Sequence, residues 1–235
     1  MLLRESMSVF WQTLKDVWEE LYPLAIVNLV WLFSWSLPVG LGAATQLPIV
    51  IIPTALLSLA AFPVTTAGVY WVANRVAHGK TFHFSDFIEG IKTLWWRALL
   101  WMLGNIVFIG LCVLNLWFYP NTFEGSWVIL IGGVWLSVLA FWLVMQMYFW
   151  PLVVQQEEHR LLRSWKNAAF LILANPFYAF FIVSFTVVLV AISVAITLPF
   201  IFVGMAIPAI LANNAVLTLL HKFGIIEDPR PKPMG

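Results

Sequence analysis

The side chains best equipped for chemistry are the four histidines His78, His83, His159 and His221, the neighbouring carboxylates Glu157 and Glu158, and the single cysteine Cys112. A metal centre could draw on imidazole nitrogens with Glu157 or Glu158 adding oxygen ligands. No histidine pair has the HExxH spacing of a helical zinc motif, so they read as solvated loop residues. Gly79-Lys80-Thr81 resembles the end of a phosphate-binding loop, but Asn74 occupies the position of its upstream glycine and no strand precedes it. Nucleophile elbows, CxxC pairs and paired carboxylates within apolar runs do not occur. The sequence therefore assigns no catalytic residue, no cofactor and no metal ligand, and the expectation is a non-enzymatic protein.

A second set of residues is polar but uncharged, and lies inside long apolar runs: Asn28, Asn105, Asn115, Gln146, Asn213 and Asn214. An amide in hydrocarbon must find a partner, and interhelical hydrogen bonds of this kind contribute about 0.6–2 kcal/mol each. Two readings stay open. The amides join helices, or Asn28, Asn105 and Gln146 line a polar cleft for an uncharged solute such as a sugar. Pro53, Pro63 and Pro208 fall within the same runs and would kink them, while Pro199 would end one.

The runs that carry these residues set the class of the protein. Its 235 residues are 62% hydrophobic and 10% charged, with a mean hydropathy of +0.93. A soluble domain has about 45–50% apolar and about 25% charged residues. The expectation is an all-α membrane protein with six transmembrane helices, at about 23–42, 47–73, 96–118, 127–154, 176–198 and 200–221. In that arrangement all twelve Lys and Arg fall on one side and only Glu124 on the other. Both termini are then cytoplasmic. A net charge of +1 gives no reason to expect nucleic acid as a partner. Asp, Glu, Lys and Arg are missing from the span centres, which argues against a proton relay.

Residues 1–22 read as an amphipathic helix on the cytoplasmic surface, with Phe10, Leu14, Val17, Trp18 and Leu21 on its apolar face and Gln12, Lys15, Asp16 and Glu19 opposite. Residues 23–221 form the membrane domain, and 222–235 a loose proline-rich tail. Two further surface helices are expected. One covers 84–97, capped by Ser85, with Phe87, Ile91 and Trp95 on its apolar face. The other covers 157–173, with Leu162 and Trp165 outward. These five apolar residues are the candidate surface for docking a partner. Trp18 and Asn28, Trp95 and Asn105, and Trp165 and Asn175 share one spacing, which suggests three repeats of a surface helix and a transmembrane hairpin.

Three stretches, NLVWLFSWSLPV, FPVTTAGVYWVANRVAHGKTFHFSDFIEGIK and MYFWPLVVQQEEHRLLRSWKNAAFLILANP, resemble the YesL family of bacterial membrane proteins. The resemblance implies a six-span protein of the bacterial cytoplasmic membrane, encoded beside carbohydrate ABC transporters and of uncharacterised function. It supplies no catalytic residues. The chain lacks the coupling-loop pattern of an ABC permease. The expected role is an accessory or scaffold in the lipid bilayer that assembles with other membrane proteins, a sugar ABC transporter among them. A small transporter or channel for a neutral solute is the alternative.

Overall fold

A computed structural model describes residues 2–230, and among these every regular element is helical. The chain runs through α1 (Leu2–Glu19), α2 (Leu21–Thr45), α3 (Pro48–Ala77), α4 (Phe84–Thr122), α5 (Trp127–Gln155), α6 (Leu161–Ala174), α7 (Pro176–Ile196), α8 (Leu198–Val203) and α9 (Ala206–Lys222). Five of these, α2, α3, α4, α5 and α7, are long and apolar enough to cross a membrane. They coincide with the first five stretches expected from the sequence. The last stretch is divided: α8 stops at Val203, and α9 begins at Ala206.

Helix limits follow local chemistry. Pro48 and Pro176 stand at the first turns of α3 and α7, where a missing N–H costs nothing. Gln46 and Thr197 take positive φ at the ends of α2 and α7, closing turns of one or two residues. The expected separate surface helix at 84–97 is instead the first third of α4. Nothing between Phe84 and Leu99 breaks a helix, so 39 residues run on for about 58 Å. Its cap is His83 rather than Ser85, with the His83 backbone N–H donating to Asp86 Oδ2 at 2.8 Å. By contrast, Asn175-Pro176 separates α6 from α7.

The core gathers at one end of the bundle. Buried residues occupy the first half of α2 (Leu24 to Trp31) and the second halves of α3 and α5. Because α2–α3 and α4–α5 are antiparallel hairpins, these halves meet. The opposite halves carry exposed apolar side chains, among them Ile49, Leu56, Val107, Leu114, Ile129 and Leu130, as expected of surfaces solvated by lipid tails. At the centre of the packed end stands α9, almost all of whose side chains are buried, against α1, α3, α5 and α7.

Close approach between helices depends on glycine at two places. A Cβ at Gly68 would lie 2.8 Å from Phe87, and one at Gly90 would lie 2.5 Å from the Cβ of Trp71. Phe87 is therefore fully buried between α3 and α4, with Ile91 beside it. This corrects the docking face expected from the sequence. Phe87 and Ile91 are engaged within the chain, because the helix that carries them lies against α3.

The N-terminal helix differs too. Its most buried face holds Ser6, Val9, Thr13, Asp16 and Val17, while Trp18 is 78% exposed. Asp16, expected on the solvent face, is only 4% exposed. The cause is a set of polar partners from α9 and from the chain beyond it, described next.

Candidate functional site

Among the described residues, three polar clusters within the bundle contain amides singled out by the sequence. The first closes the α8–α9 break. Asn28 Nδ2 donates to the carbonyls of Phe200 and Ile201 at 3.1 and 2.8 Å, and its Oδ1 accepts from the Met205 backbone N–H at 2.8 Å. A helix interrupted in an apolar environment leaves carbonyls and N–H groups that must be satisfied by protein. One buried amide, which can donate and accept at once, serves both polarities.

The second joins α4 to α5 through reciprocal amide–indole pairs. Trp101 Nε1 donates to Gln146 Oε1 at 2.8 Å, and Trp142 Nε1 donates to Asn105 Oδ1 at 2.9 Å. Each amide nitrogen then donates to a carbonyl on its own helix: Asn105 to Trp101, and Gln146 to Trp142. Every polar atom of Asn105 and Gln146 thus has a partner within the chain. Around them pack Phe108, stacked on Trp142 with ring centroids 3.9 Å apart, and Trp165, 5.4 Å from Trp142. The sequence marked the amides and missed their indole partners, because fourteen tryptophans offer many equivalent choices.

The third lies where α1, α3 and α9 meet. Asp16 accepts from both Nη atoms of Arg230, at 2.8 and 2.7 Å. Arg230 also donates to the Ala77 and Val76 carbonyls at the end of α3 and to Asn214 Oδ1. Asn214 Nδ2 completes the ring by donating to Asp16 Oδ2 and Thr13 Oγ1. Beside it Asn74 donates to Asn213 Oδ1 at 3.2 Å. The fork of Arg230 covers a carboxylate and two carbonyls together, a geometry available only to arginine. The segment expected as a loose tail is docked as far as Arg230, and its last five residues lie outside the described residues.

These clusters are separate. Asn28, Asn105 with Gln146, and Asn213 with Asn214 do not converge on one cleft. Of the expected docking residues, Trp95 is 50% and Leu162 80% exposed, while Trp165 is partly buried against Phe149 and Trp142. The histidines have local roles: His78 Nδ1 donates to Asn74 O at 2.8 Å, and His159 Nδ1 to Val153 O at 2.7 Å with its ring against Trp71. Among the described residues no three His, Cys, Asp or Glu side chains gather to hold a metal ion. At the α1–α2 junction the Glu20 carboxyl is raised above the usual range by desolvation and then by the charge of Glu19.

Comparison of the chain with family models, curated proteins and solved structures finds no match. The observations that bear on function are therefore those of the molecule itself: apolar spans, the amides of Asn28, Asn105, Gln146, Asn213 and Asn214 paired within the chain, and a bundle end tied by polar clusters.

Proposed function

We propose that this is a multi-pass protein of the bacterial cytoplasmic membrane that acts without catalysis, as an accessory or scaffold for other membrane proteins. The single observation that carries this reading is where its polar groups go. Asn28, Asn105, Gln146, Asn213 and Asn214 are all engaged within the chain. Its outward surface over the spans is apolar and broad. Such a surface suits contact with lipid and with partner helices.

In this reading α8 and α9 together make a sixth, broken crossing. Lys222 meets Glu5 at 3.0 Å and Arg230 meets Asp16, so α1 and the segment 222–230 lie together at the end of the bundle that also holds Arg75. An even number of crossings accounts for that, and the basic residues make this end cytoplasmic. The threefold repeat enters as a sequence pattern whose asparagines now serve different ends: Asn28 clamps a break, Asn105 joins helices, and Asn175 stands between α6 and α7 with no side-chain cap to either. A link to a carbohydrate ABC transporter rests on the YesL resemblance.

One observation favours a second reading, a transporter for a neutral solute. Discontinuous helices are a frequent substrate-binding device in transporters, and the α8–α9 break is one. Against it, the groups freed by the break are taken up by Asn28.

Affinity purification of a tagged copy from native membranes, with mass spectrometry of what accompanies it, tests the proposal. Stoichiometric recovery of another membrane complex is expected. Recovery of the chain alone, together with sugar uptake by liposomes containing only this protein, would overturn it in favour of the second reading.

A further inference from the structure

Arg97, Leu100, Gly104, Val107 and Leu111 follow one another at intervals of three or four residues, so they form a single stripe along α4. Opposite that stripe stands α6, whose Leu162 and Trp165 form the far wall. Between them runs an open apolar groove of about 480 Å³ with Trp142 at its floor. Gly104 lets Trp165 reach the floor: a Cβ there would lie 2.8 Å from Trp165 Cη2. The groove walls are the kind of side chain this protein turns toward lipid, with Val107 64% and Leu162 80% exposed.

At one mouth the chemistry changes. Arg97 is the stripe residue at that end, and its Nη2 donates to the Glu158 carbonyl at 3.2 Å, which draws the guanidinium toward the start of α6. Arg160 is the residue that begins α6, where the helix leaves its first N–H groups and its positive dipole end. Arg160 is paired with the Glu158 carboxylate, but both partners are more than half exposed. A pair so solvated is weak and exchanges readily for a phosphate. The mouth therefore combines two cations and a helix N-terminus, with Arg160 paired to the exposed Glu158 carboxylate and Arg97 donating to the Thr93 and Glu158 carbonyls, and the groove behind it is apolar.

We propose that this groove binds an anionic phospholipid, with an acyl chain between α4 and α6 and the phosphate between Arg97 and Arg160. Charge decides the class. Neither groove has a cation among its lining residues, but Arg160 directly precedes Leu161 and Arg97 stands one turn before Leu100 at the mouth of the α4–α6 groove, whereas the larger apolar groove of about 760 Å³ between the α1–α2 junction and α8 is lined by the anionic Glu19. The proposal needs the chain to be embedded in a bilayer and does not depend on whether it acts as scaffold or transporter.

The test uses the full chain in mixed micelles holding equal amounts of phosphatidylglycerol and phosphatidylcholine, with retained lipid counted by native mass spectrometry. The unaltered protein should retain phosphatidylglycerol in preference. Arg97→Gln with Arg160→Gln should reduce that preference by about fivefold per arginine, since a basic residue near an anionic surface contributes about that factor. Val107→Trp should fill the groove from an exposed position and lower retention of both lipids. Circular dichroism should be unchanged in each. Lys15→Gln with Lys80→Gln, both away from the groove, should keep the preference. The proposal is overturned by equal retention of the two lipids by the unaltered protein, by an arginine double variant that keeps the preference, by a Val107→Trp protein that still retains lipid, or by a lysine double variant that loses as much.

Discussion

At the residue scale, single amides matter because the surroundings leave no substitute for them. Asn28→Leu strands the Ile201 carbonyl and the Met205 N–H at the α8–α9 break, while the Phe200 carbonyl keeps the Gly204 N–H, and each buried group left alone costs about 1–3 kcal/mol. The variant should unfold at lower temperature in detergent. An unchanged unfolding temperature for Asn28→Leu would mean that the break closes by other means. The amide–indole pairs invite a double-mutant cycle. Asn105→Leu and Trp142→Phe should show a coupling of about 0.6–1.7 kcal/mol, the range for hydrogen bonds between membrane helices. A coupling near zero would show that Asn105 contributes only through its own helix. These residues were visible in the sequence as polar intruders in apolar runs. Their partners were not, since a backbone carbonyl 172 positions away leaves no mark in composition or spacing.

At the scale of elements, glycine positions decide which helices touch. Gly90→Ala would place a methyl 2.5 Å from Trp71 Cβ and force α3 and α4 apart, costing about 1–3 kcal/mol. Gly110→Ala lies on the same helix with nothing within 4 Å and should be neutral or stabilising by up to about 1 kcal/mol. Thermal unfolding of the two variants side by side checks the contrast, and equal effects would place the α3–α4 contact elsewhere. Hydropathy and proline placement made five long helices legible in the sequence. Two readings at this scale failed for physical reasons. Residues 84–97 looked like a surface helix because their apolar face is regular, yet that face packs on α3 and no breaker separates it from the span. Residues 1–22 read as a surface helix with its large apolar residues on one face, but Val17 of that face is buried together with Thr13 and Asp16, whose hydrogen bonds to Asn214 and Arg230 turn α1 toward α9.

For the whole molecule, topology is the property to test. With Cys112 replaced by alanine, single cysteines at Lys80 and His221 should react with a membrane-impermeant thiol reagent only after cells are opened, and one at Glu124 should react in intact cells. Reaction of the Lys80 and His221 cysteines from opposite sides would remove the sixth crossing. The cluster around Asp16 adds a stability prediction. Arg230→Gln removes the fork that joins α1 to α3 and α9, and amide hydrogen exchange in α1 should quicken while the exchange of α4 and α5 stays as it was.

The Asp16–Arg230 link also has a temporal side. Residue 16 leaves the ribosome early, and its guanidinium partner is added 214 residues later, after every apolar helix has been made. Until then the carboxylate of Asp16 has Gln12 of its own helix and then Asn214 of α9 as donors but no cation, and α1 has no complete seat. The protein therefore cannot finish folding helix by helix as it is inserted. Its first helix is held by a residue made after all nine described helices, so closure of the packed end reports that translation has run through residue 230.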